Sequence, residues 1–249
     1  MGETGCLTFP IEFLEEAFTD IQKVCDNIFD YAIYTYSLKL EKVSDSELEA
    51  MKKAAEYYDI VLGDAQRAFN NGYALYSEYG SKIAKASIDK DIVFDFYRSK
   101  KTEFEIAVFC AFCATKSILG AKTYCKTNKV LIHARMFGLN NAAPLKEGKN
   151  KIQEKYFKRY NFDRLMKELQ FNWDLRLISN HCRGFYISYE LGIQDLAIIS
   201  EKAKKKTRDT LLRQEKEEAI KKALLIVNQE DDIPKTENSD VEVPTLKIE

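Results

Sequence analysis

The sequence predicts a mostly α protein with one small β-hairpin. Three observations carry that expectation. The 249 residues hold only 4 Pro and 10 Gly, and Pro10 is the sole proline before Pro144, so a long stretch is free of the strongest helix breaker. Apolar residues recur at three- and four-residue steps through most of the chain. The period changes to two only after Phe171. With 45% hydrophobic residues the chain can build a buried core. Four segments follow: an acidic helical region over 1–97, a basic segment over 98–190, a charged helix over 191–228, and an acidic tail over 229–249. The tail carries two prolines and no apolar period and is expected to be disordered.

The elements can be justified in order. Phe13, Leu14, Ala17, Phe18, Ile21, Val24, Cys25, Ile28 and Phe29 lie along one face of an opening helical region over 10–40. Tyr31, Ile33, Tyr34 and Tyr36 blur the phase. Ser44 to Glu47 reads as a capping box for a helix over 45–62, with Leu48, Met51, Ala55 and Tyr58 inward. Asp64 can cap a helix over 65–86, in which Asn70-Asn71-Gly72 is a candidate interruption. A short aromatic helix is expected over 89–97. Thr102 to Glu105 is a second capping box, opening the most apolar helix of the chain, Glu103 to Leu119, which Gly120 closes.

A polar turn, Lys122 to Lys126, leads to a short helix over 128–137, capped by Thr127 or Asn128 and ended by Gly138. A loop with Asn140, Asn141, Pro144 and Gly148 follows. Over 150–170, Ile152, Tyr156 and Tyr160 form one stripe and Phe162, Leu165, Met166 and Leu169 another, rotated well away at about 100° per residue. A break near Asn161, with Asn161 capping the second helix, resolves the mismatch. Leu175 to Ser179 and Phe185 to Tyr189 then alternate around the turn Asn180 to Gly184, and read as the hairpin. Residues 193–227 return to helix.

The overall charge of −1 hides a separation. Residues 1–97 carry a net −9, residues 98–190 a net +10 and residues 191–249 a net −2. A block near +10 can attract a polyanion; the alternative is that it packs against the acidic N-terminal part.

From residue 103 to 190 the order is long helix, short helix, loop, helix, hairpin. That order resembles the winged helix-turn-helix domain of DNA-binding proteins. Cys125 to Lys129 through Ala134 to Gly138 also looks like the helix-turn-helix region of plasmid- and mobile-element-type bacterial proteins. The resemblance implies double-stranded DNA as the partner, with the third helix as reader and the hairpin as wing. It also implies a replication or transcription role on a mobile genetic element. The candidate DNA-binding residues are Lys122, Lys126 and Lys129 around the second helix, and Lys151, Lys155, Lys158, Arg159, Tyr160 and Asn161 before and at the start of the third. Arg164 and Lys167 on its outward side and Arg183 in the hairpin turn complete the set. Arg176 is expected to point outward from the first hairpin strand.

Enzyme chemistry finds little support. Cys110 and Cys113 have metal-ligand spacing, but they lie inside an apolar helix and lack a second pair, so they read as core residues. The two histidines, His133 and His181, have no evident catalytic companions, and no phosphate-binding, dinucleotide, serine-hydrolase or zinc-protease motif is present. No cofactor, metal or catalytic residue is assigned. No run of about 18 apolar residues exists, so no membrane span is expected. The first twenty residues are acidic and lack Lys and Arg, unlike a signal peptide, so a cytoplasmic protein with reduced thiols is expected. The competing reading is a helical protein–protein interaction module, forming a homodimer or docking a partner through its N-terminal or C-terminal helices. A metal-dependent nuclease would need a carboxylate cluster that the sequence does not reveal.

Overall fold

The structure, a computed structural model, describes residues 5–40, 44, 46–80, 84–141, 150–179 and 184–230, with side chains through Lys222 and at Leu224. Residues 1–200 form one compact unit and residues 201–249 a second. The fold is mostly α with a few strands.

The first unit opens with strand β1 (Cys6–Pro10) and a 3-10 turn (Ile11–Glu16), followed by α1 (Ile21–Leu40), α2 (Glu47–Tyr57) and α3 (Ala65–Tyr79). Helix α1 buries Val24, Cys25, Ile28, Phe29, Ala32 and Ile33 and is the hub on which α2 and α3 pack. The cap of α2 is Ser46, whose Oγ accepts from the Glu49 amide at 3.2 Å, not Ser44. Its buried stripe is centred on Ala50, Met51, Ala54 and Ala55, so Leu48 falls at the edge and is exposed. Asp64 does cap α3, accepting from Arg67 N at 3.0 Å.

Helix α3 runs without interruption through Asn70-Asn71-Gly72, contrary to expectation. Gly72 is where α3 meets α1: a Cβ there would lie 2.6 Å from Tyr34 Cβ and 2.7 Å from the Asp30 carbonyl. Asn71 donates its amide to Asp30 Oδ2 at 2.8 Å. The helix stops at Tyr79 rather than 86, because Gly80 takes a φ of +48°. Lys85 to Asp89 form strand β2 (Lys85–Asp89), antiparallel to β1 with Cys6 opposite Asp89 and Thr8 opposite Ser87. Asp89 then caps α4 (Lys90–Arg98), accepting from Asp91 N at 2.9 Å.

Helix α5 (Glu103–Leu119) carries the predicted capping box. Thr102 Oγ1 accepts from Glu105 N at 3.3 Å, and Glu105 Oε2 accepts from Thr102 N at 2.8 Å. Replacing Thr102 with Ala should lower the unfolding free energy by about 1 kcal/mol, read as a shifted urea midpoint at unchanged slope. Residues 107–115 of α5 are all buried, and the helix packs against β2, α6 (Lys129–Met136) and α8 (Arg159–Asn172). The chain continues with β3 (Cys125–Thr127), α7 (Lys151–Phe157) before α8, β4 (Arg176–Ser179), β5 (Phe185–Ser188) and α9 (Ile193–Glu230).

Asn128, not Thr127, caps α6, accepting from Leu131 N at 2.9 Å. The segment expected as a polar turn includes β3, so the hairpin of β4 and β5 becomes a three-stranded antiparallel sheet in the order β3-β5-β4. Gly184 has a φ of +106°, and a Cβ there would sit 2.5 Å from the Thr127 carbonyl, so only glycine lets β5 start beside β3. The break between α7 and α8 falls at Lys158, whose ψ of 140° ends α7, not at Asn161. Asn161 caps nothing; it donates to the Lys155 carbonyl at 2.8 Å and closes the corner from the other side. Residues 229 and 230, expected in the tail, are the end of α9; the rest of that segment, 231–249, lies outside the described residues. So do Pro144, Gly148, His181 and Cys182. No helix among the described residues is long and apolar enough to cross a membrane.

Candidate functional site

Helix α8 is divided cleanly. Phe162, Leu165, Met166 and Leu169 are buried against the core. The opposite face presents Tyr160, Arg164, Lys167 and Phe171 to solvent, one above another at three- and four-residue steps. Tyr160 is 78% and Phe171 82% exposed. The Arg164 guanidinium stacks over the Phe104 ring at 3.9 Å, so it is held in place while its residue remains exposed. Lys167 makes no ion pair among the described residues.

The first turn of α8 follows the Lys158 corner. Lys158 and Arg159 are exposed there, and Arg159 lies 3.6 Å from Asp163, one turn on. This pair is almost wholly in water and neutralises little. Before the corner, Lys151 is exposed in the first turn of α7, which Asn150 and Gln153 close with a reciprocal capping box. Lys122 is exposed before β3, and Lys126 is exposed on β3 opposite Tyr186.

Other predicted residues are committed to the fold. Lys155 bonds Glu103 at 2.8 Å, and Tyr156 Oη donates to the same carboxylate at 2.9 Å. The Lys155 bond holds the Glu103 carboxyl below its ordinary range. Lys129 lies over the rings of Phe157 at 4.8 Å and Phe162 at 5.2 Å, and burial pulls its ammonium pKa down. It fastens α6 to the α7–α8 corner. Asn161 has its amide on the Lys155 carbonyl. Arg176 is half-buried beside Asp174 at 3.4 Å rather than free in solvent. Arg183 lies outside the described residues.

None of the candidate cations forms an ion pair with a carboxylate of the acidic N-terminal region among the described residues. The contact between the two regions is made elsewhere. Arg135 donates through Nε to the Asn140 carbonyl at 3.1 Å and through a terminal nitrogen to Ser117 Oγ at 3.2 Å. Asn140 in turn donates to Glu12 and accepts from the Ala84 amide at 3.2 Å. Burial pushes the Glu12 carboxyl up, against the opposing pull of Asn140 and Arg135. Lys101 bonds Asp95. Sequence reasoning missed the Arg135 cluster and Phe171; the only signal for the latter was an apolar residue one step past the inner stripe of α8.

The cysteines of α5 carry no exposed chemistry. Cys110 and Cys113 are fully buried, and burial pushes both thiols far up. No group of three or more His, Cys, Asp or Glu among the described residues could hold a metal ion. His133 is buried, with Nε2 2.7 Å from the Gln153 carbonyl and its ring against Phe137 and Phe157. No protein-family model matches this chain, and neither a curated protein nor a solved structure shows significant similarity to it.

Proposed function

We propose that the chain binds double-stranded DNA, with the outward face of α8 in the major groove and the β4–β5 hairpin beside it. The observation that carries this reading is the division of α8: one face is sealed into the core, while the other offers Tyr160, Arg164 and Lys167 to solvent with no N-terminal carboxylate among the described residues bonded to them. A helix about 10–12 Å across fits a major groove about 12 Å wide. The order α5, β3, α6, α8, β4, β5 supports the winged helix-turn-helix resemblance, with α7 an added element before the reading helix. Lys158 and Arg159 at the start of α8, with Lys122, Lys126 and Lys151, supply phosphate contacts. A role in replication or transcription of a mobile genetic element belongs to the same proposal and rests on the resemblance alone.

The test is fluorescence anisotropy of a labelled duplex with the full chain over a range of salt. Five phosphate contacts give a logarithmic salt slope of about −4 to −5. Absence of binding at low salt, or binding that ignores salt, overturns the reading. A second reading is favoured by Phe171 and Tyr160, two exposed aromatics on the same face of α8: that face would take a partner protein. In that case duplex binding is absent, and Phe171→Ser abolishes partner capture.

A further inference from the structure

A cleft of about 440 Å³ lies in the N-terminal region, away from α8 in sequence and lined by α1, the end of α2 and the outer face of β1 and β2. Its chemistry contrasts with its surroundings. The region as a whole is acidic, yet the described residues lining the cleft include two lysines, Lys39 and Lys85, and no carboxylate. Asp89 shares the sheet face, but its side chain is committed to capping α4.

One wall is aromatic. Tyr36 and Tyr57 stack at 4.4 Å with an interplanar angle of 12°, and Tyr58 meets both rings edge-on. Tyr57 is 46% exposed, so part of this aromatic wall is open to water. Tyr58 is held from behind, since Lys90 donates to its carbonyl at 3.0 Å. The strands contribute hydroxyls to the lining: Thr8 Oγ1 donates to Ser87 Oγ at 3.1 Å across β1 and β2. Tyr31 is 1% exposed, and its hydroxyl has no hydrogen-bond partner among the described residues. Lys85 lies 5.7 Å over the Tyr31 ring and Lys39 5.7 Å over the Tyr36 ring, so both ammonium groups are drawn to the aromatic walls.

We infer that this cleft binds a small planar anion of the mononucleotide class, its ring system laid against Tyr57 and its phosphate between Lys39 and Lys85. The elements match the ligand one for one. A tyrosine face offers stacking to any base, a pair of ammonium groups offers charge-assisted bonds to phosphate, and the Thr8–Ser87 hydroxyls suit a ribose. The site is independent of α8, so it stands whether or not the chain binds DNA.

Cys6 gives a direct readout, because its exposed thiol lines the same cleft while Cys25, Cys110 and Cys113 are buried. The full chain is alkylated with iodoacetamide in the presence of adenosine 5′-monophosphate, adenosine or inorganic phosphate, and modification of Cys6 is followed by peptide mass spectrometry. Adenosine 5′-monophosphate slows Cys6 alkylation in a saturable way, and adenosine and phosphate alone do so only at much higher concentration. In a Lys39→Ala/Lys85→Ala variant the half-protecting concentration rises at least about tenfold, the effect of losing charge-assisted bonds. Tyr57→Ala raises it as well. Both lysines have solvent-accessible side chains, and circular dichroism of the variant checks the fold. The inference is overturned if adenosine 5′-monophosphate does not protect Cys6, if adenosine protects equally well, or if the double lysine variant is protected as well as the parent.

Discussion

An Arg164→Ala/Lys167→Ala variant is expected to bind duplex DNA roughly 30- to several-hundred-fold more weakly than the parent, as follows from losing one base-edge arginine and one further cation. Arg164 is the larger part. Its guanidinium is already positioned over Phe104 at 3.9 Å, so little side-chain freedom remains to be lost on binding. Arg164→Lys keeps the charge but loses the planar fork and the stack, and should recover only part of the affinity. Removal of Lys158, one of the five proposed phosphate contacts, should flatten the salt slope by about one. Lys155→Ala is the informative contrast: its ammonium is 2.8 Å from Glu103, and the change should move DNA affinity by no more than about threefold, within the range of a surface ion pair. Equal losses from Lys155→Ala and from the α8 variant would show that net charge alone, not the face of α8, governs binding.

Gly72→Ala is expected to destabilise the protein by about 1–3 kcal/mol, the usual range for overpacking. Helix propensity alone points the other way, since alanine in a helix interior is better than glycine by about 1 kcal/mol. The sign is decided by the approach of α1. A new Cβ would meet Tyr34 Cβ at 2.6 Å and the Asp30 backbone oxygen at 2.7 Å, and a backbone atom cannot swing aside. The two helices must separate, which loosens Tyr34 from Phe69 and Tyr76 and weakens the Asn71 bond to Asp30. Thermal unfolding should show a melting temperature lower by several degrees, at about 2–4 °C per kcal/mol for a domain of this size. Gly63→Ala, where nothing lies within 4 Å of the new Cβ, should leave it nearly unchanged. A raised melting temperature for Gly72→Ala would mean that α1 and α3 are not in contact at this point.

What the sequence made legible was local. The capping box at Thr102, the length of α5 and the strand pair after Phe171 are each written within a few residues of one another, and all three appear in the structure, although burial along β5 does not alternate as the sequence does. The phase change within 150–170 revealed that a break was needed, but placed it three residues late. Asparagine is a good cap on average; here its amide is spent on the Lys155 carbonyl, and Lys158 turns the chain by backbone conformation alone. Strands β1 and β2 escaped notice because each is five residues long and its partner lies about eighty residues away. Gly72 looked like a helix breaker, because the helix that needs the space belongs to another part of the chain.

The candidate site divides in the same way. The outward side of α8 follows from periodicity, and Arg164 and Lys167 are exposed where it put them, whereas Tyr160, grouped by its spacing with Ile152 and Tyr156, belongs to α8 and is exposed. The fates of Lys155 and Lys129 could not be read, because Glu103 and Phe157 are remote in sequence and nothing in a run of lysines marks which one a distant partner will claim.

Glu12, Asn140 and Arg135 join the opening turn of the protein to the last turn of α6. Severing the polypeptide near residue 98 would therefore strip a half-buried guanidinium of its counter-charge and leave Ala84 N–H without an acceptor. The negatively charged third is masonry in a shared wall, not an appendage that can be trimmed away, and a fragment starting at α5 would inherit an open interior.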